Sequence, residues 1–116
     1  MPFPDEFKKS LEEFIPVAME GTGDVQGARR DLMTLWVDPE FFNYRSMVSG
    51  VLASGATKGG PSAKSYVPNY FALLGDFGSL AGASDPMTMG ILANGVRTRI
   101  GILEEHEVEI DAAMRR

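Results

Sequence analysis

The chain has 116 residues, 44% of them hydrophobic and 23% charged, with a formal net charge of −5, no cysteine and one histidine. That length suits a single domain, and the hydrophobic content is sufficient for a core. Without cysteine there is no disulfide framework, thiol nucleophile or cysteine-held metal, and one histidine excludes multi-histidine centres; the acidic excess repels phosphate backbones, so direct nucleic-acid binding is not expected.

The first segment, from Met1 to Lys9, lacks the basic start and apolar core of a secretory signal, so a cytoplasmic setting is the default expectation, the host cytoplasm or virion if the protein is viral. From Pro4 to about Met19, Phe7, Leu11, Phe14, Ile15 and Ala18 recur at three- and four-residue spacing, which predicts an amphipathic helix with a kink or stop at Pro16. Gly21-Thr22-Gly23 reads as a turn, and Asp24 as the N-cap of a second helix through Val37, with Ala28, Leu32, Leu35 and Trp36 facing inward. Asp38-Pro39-Glu40 combines a cap acceptor, a proline at the first helical position and an acid in the first turn, so a third helix is expected from Pro39 to about Ser54.

Residues 55–65 are rich in glycine and small polar residues and predict a flexible connector between a helical N-terminal half, 4–54, and a second half, 66–116. Lys58-Gly59-Gly60 does not match the phosphate-binding GxxxxGK pattern, since no Gly-Lys dipeptide occurs in the chain. From Ser65 to Val96 the only charges are Asp76 and Asp85. No run there is long enough to span a membrane, so burial in a protein contact is the expectation. Pro68 to Leu74 reads as a short helix, loosened afterwards by Gly75, Gly78 and Gly82, with Asp76 as a turn or cap residue.

Asp85-Pro86 repeats the cap-plus-proline signal and predicts a last helix with Leu92, Val96, Ile100, Leu103, Ile110 and Met114 in one stripe. The alternative is a hairpin at 87–102 turning at Asn94-Gly95. The expected architecture is therefore a mostly α bundle of about four or five helices, or an α+β fold if the hairpin forms.

Five acids lie within residues 104–111 around His106. They read as a solvated acidic face, because a metal-binding helix bundle needs further inward carboxylates and a second histidine. No catalytic residue, cofactor or metal is expected. A non-enzymatic role in protein–protein interaction fits this inventory best: a subunit of an oligomeric or viral assembly, or a small acidic inhibitor docking on a partner. The candidate contact residues are the aromatic clusters, Trp36, Phe41 and Tyr44 in one and Tyr66, Tyr70, Phe71 and Phe77 in the other, together with Glu104, Glu105, Glu107 and Glu109. Tyr44 and Arg45 together read as a mixed recognition surface. The alternative is a small-ligand binder or accessory enzyme subunit using the glycine-rich segments and Asp76.

Overall fold

A computed structural model describes residues 3–35, 39–54 and 60–114. It contains five helices, α1 (Asp5–Glu20), α2 (Val25–Leu35), α3 (Pro39–Ala53), α4 (Gly60–Gly82) and α5 (Pro86–Met114), and no strand among the described residues. The chain is a mostly α bundle.

α5 is the spine. Its 29 residues extend for about 43 Å at the α-helical rise, and both α4 and α1 lie along it. The pairing follows from three stripes with alternating four- and three-residue steps: Phe7, Leu11, Phe14 and Ala18 on α1; Tyr66, Tyr70, Leu73, Phe77 and Leu80 on α4; Met89, Ala93, Val96, Ile100 and Leu103 on α5, all buried. That step is the heptad repeat of helices packed side by side. Phe7 and Phe77, with ring centroids 6.1 Å apart, join α1 to α4 across the same core. Both pairings with α5 are antiparallel: Tyr66 meets Glu107 while Asp76 approaches Gly95, and Lys8 meets Glu104 while Glu12 meets Arg97.

Helix ends obey local chemistry. Asp24 Oδ1 accepts from Gly27 N at 2.8 Å, and Asp85 Oδ2 accepts from Thr88 N at 3.0 Å, as N-caps do. α1 stops at Gly21, whose φ of 68° is the left-handed conformation glycine adopts freely, and whose N–H bonds back to Val17 and Ala18. Arg29 on α2 reaches across to the end of α4, donating to the carbonyls of Leu80 and Ala83. It thereby satisfies acceptors that a helix C-terminus leaves open.

Several local expectations give way to this packing. α1 runs past Pro16 to Glu20, because Phe14 and Ala18 on either side of it are both held in the core. α4 covers Gly60–Ser65, so the expected connector is helical there, whereas residues 55–59 lie outside the described residues. The same helix continues through Gly75 and Gly78, since Phe77 and Leu80 bury between and beyond them. Asp76 sits inside α4 and is neither a cap nor a turn residue. The last helix forms from Pro86 as expected, and its alternative, the hairpin at 87–102, does not: Asn94-Gly95 lies within α5, where Asp76 Oδ2 stands 2.8 Å from the position a Cβ on Gly95 would take.

Candidate functional site: a buried clasp and an uncharged face

Two features stand out from the packed core. The first is a polar clasp. Glu107 occupies a buried position between Leu103 and Ile110 on α5 and is only 4% exposed. Arg45 of α3 is 1% exposed. Its Nε lies 2.9 Å from Glu107 Oε1, and its Nη2 donates to Oε2 at 3.2 Å. Tyr66 donates its hydroxyl to Oε1 at 2.8 Å. The guanidinium carbon sits 3.7 Å from the centre of the Phe3 ring, a cation–π contact. Next to this core Tyr44 donates to Asp111 at 2.9 Å, and Glu104 accepts from the Phe3 N–H at 3.1 Å and from Lys8 at 3.2 Å.

The titration behaviour follows from burial. Loss of solvent pushes Glu107 above the usual carboxylate range, against the opposing pull of Arg45 and the Tyr66 hydrogen bond. Burial likewise lowers Arg45, opposed by Glu107. Tyr66 is raised by burial and then by the negative charge of Glu107, and Tyr44 is pushed up to about 12 by burial and by Asp111. A charged pair in a helical seam fixes which residues face each other. Here it fastens α3, through Arg45, to the seam between α4 and α5.

The second feature is an uncharged face. On α4 the outward residues include Pro68, Phe71, Gly75, Gly78 and Gly82, and Phe71 is 60% exposed. Beside it lies an open groove of about 250 Å3 whose walls are Ser46, Ser49, Gly50 and Ala53 of α3 and Tyr70, Phe71 and Leu74 of α4. Tyr70 and Ser46 share a hydrogen bond at 2.9 Å along one side. Ser49 is 4% exposed and its Oγ has no hydrogen-bond partner among the described residues. Met47 is exposed on α3, as are Met87 and Ile91, one turn apart, at the start of α5.

The residues singled out in the sequence therefore separate. Tyr66, Tyr70 and Phe77 are core, and Phe71 is the exposed aromatic of their cluster. Tyr44 is half-buried and Arg45 fully so, which replaces the expected mixed recognition surface with an internal contact. Trp36 lies outside the described residues, as does the side chain of Phe41. Among the acids Glu105 and Glu109 are exposed, Glu104 is half-buried against Lys8, and Glu107 faces inward. The role of Arg45 has no sequence signal of its own. The one clue to Glu107 is its place midway between Leu103 and Ile110, where the stripe calls for a core residue.

Among the described residues no group of three or more His, Cys, Asp or Glu side chains could hold a metal ion, and no helix is long and apolar enough to cross a membrane. No family model matches the chain, and no curated protein or solved structure does.

Proposed function

We propose that the chain is a non-enzymatic protein–protein interaction protein, a subunit of a larger assembly that it enters through the uncharged face of α4. The observation that supports this reading is Phe71, 60% exposed in the middle of a helix whose outward face carries no charge from Pro68 to Gly82. Exposed aromatic anchors surrounded by small uncharged residues are the composition of association surfaces, whereas a free surface is usually interspersed with charge. An acidic inhibitor is less well supported, because Glu107 and Glu104 are engaged by Arg45 and Lys8 of the same chain.

The test compares partner capture from the native source and mass by light scattering for three proteins: the unaltered chain, Phe71→Asp, and Glu105→Lys/Glu109→Lys. Loss of association with Phe71→Asp alone supports the reading. Loss with the charge reversal alone supports the inhibitor, and a strict monomer that captures nothing contradicts both.

A further inference from the structure

The outward face of α4 has an order that the buried face explains. Lys64, Pro68, Phe71, Gly75, Gly78 and Gly82 are all exposed and follow one another in alternating four- and three-residue steps. This is the same repeat that packs α4 against α5, set on the opposite side of the helix. α4 thus carries two seams, one filled and one open.

Among the described residues nothing accounts for the glycines of the open seam. A Cβ added at Gly75, Gly78 or Gly82 would meet no atom of the described residues within 4 Å, in contrast to Gly90 and Gly95 of α5, where Met19 and Asp76 occupy that space. Glycine weakens a helix, and at three successive seam positions it leaves the backbone bare. Bare backbone flanked by a projecting aromatic lets another helix approach closely. The groove beside it supplies an independent sign of an unfilled contact, since the Ser49 hydroxyl in its wall is buried without a hydrogen-bond partner among the described residues.

Charge and shape select the occupant. The open seam begins at Lys64, and Asp85, exposed where it caps α5, follows the far end of α4; between them in the chain the one other charge, Asp76, turns towards Gly95 of α5, and the Arg29 guanidinium at that end is engaged by the Leu80 and Ala83 carbonyls. A second copy running antiparallel brings each Lys64 towards Asp85 of the other copy, whereas a parallel copy would set Lys64 against Lys64. An antiparallel alignment centred between Leu74 and Gly75 places Phe71 opposite Gly78, so projection meets hollow twice by symmetry. Resting on the association reading above, we propose that two copies of this chain pair through antiparallel α4 helices, Phe71 of each seating over Gly78 of the other.

Because the chain has no cysteine, single cysteines introduced into it report the geometry. Gly75→Cys lies beside the symmetry axis and should form an intermolecular disulfide under mild oxidation, while Thr98→Cys, exposed on α5, should not. Gly78→Leu fills the hollow without a buried clash of its own. It should raise the dimer dissociation constant by more than about tenfold with helical content by circular dichroism retained, and the Phe71→Ala protein should behave alike. Equal cross-linking at both cysteines, or a dimer indifferent to Gly78→Leu and Phe71→Ala, overturns the pairing while leaving association itself standing. An unaltered chain that stays monomeric at its highest soluble concentration also overturns the pairing. If that monomer still captures a partner through Phe71, the assembly reading survives; if it captures nothing, both fail.

Discussion

Arg45 on α3 and Glu107 on α5 meet at 2.9 Å with both side chains almost wholly buried. The first of them belongs to a helix that otherwise packs mainly on α4. The pair is the structural fastening of α3, and its energetics are asymmetric. Two buried charges in contact are close to neutral against an apolar pair of similar volume, but one of them alone is costly. Arg45→Met should therefore destabilise the fold by about 3–5 kcal/mol. Arg45→Met/Glu107→Leu should cost much less than the sum of its single changes, as urea unfolding of the four proteins would show.

The two tyrosines of the clasp predict behaviour in base. Their folded-state pKa values are raised, so the stability they contribute is complete below the unfolded value near 10 and is lost as pH rises. For Tyr44 the loss falls between pH 10 and about 12. Tyr66→Phe and Tyr44→Phe should each flatten the decline of melting temperature above pH 10. Ultraviolet titration should show Tyr66 ionising only as the chain unfolds.

Glu107 works in the same direction at lower pH. Its pKa is raised, so its contribution is complete below the usual carboxylate value near 4.5 and diminishes as pH rises through the folded-state value. Glu107→Gln, which keeps an acceptor for Tyr66, should remove that slope from a plot of unfolding free energy against pH.

Glycine substitutions should divide by neighbourhood. A Cβ at Gly90 would stand 2.6 Å from Met19 Sδ and 3.2 Å from the Met19 backbone nitrogen, so Gly90→Ala should cost about 1–3 kcal/mol. At Gly101 nothing among the described residues lies within 4 Å, and Gly101→Ala should stabilise by about 0.5–1 kcal/mol through helix propensity alone. Thermal unfolding of the two variants checks the opposite signs.

Asp85 holds the start of α5 through Thr88 N at 3.0 Å and Thr88 Oγ1 at 2.9 Å. Asp85→Ala should cost about 1 kcal/mol, and Asp85→Asn considerably less, by the same unfolding measurement.

The helix starts were legible because their chemistry is local: Asp24 and Asp85 cap where an acid precedes a helix, whatever the rest of the chain does. The course of α4 and α5 was harder to read. Asn94-Gly95 is a strong turn signal over two residues, yet Met89, Ala93, Val96 and Ile100 bury along one helical stripe, and the contact with Asp76 makes use of the bare Gly95. Tertiary packing outweighs the dipeptide. Arg45 was illegible, and Glu107 legible only from its place in the stripe, for the opposite reason: a charged side chain reads as surface until its partner is known, and theirs lie 62 positions apart. Phe71 was legible only as one of four aromatics, since its exposure depends on which face of α4 the neighbouring stripe takes.

The claim that two copies of the chain pair through the uncharged face of α4 is tested most directly by sedimentation equilibrium of the unaltered chain and of Phe71→Asp over a range of concentrations. The account predicts that the unaltered chain approaches the mass of two chains as concentration rises, and that Phe71→Asp remains at the mass of one with its helical content intact. A monomer at all concentrations, or a dimer equally populated in both proteins, would contradict it.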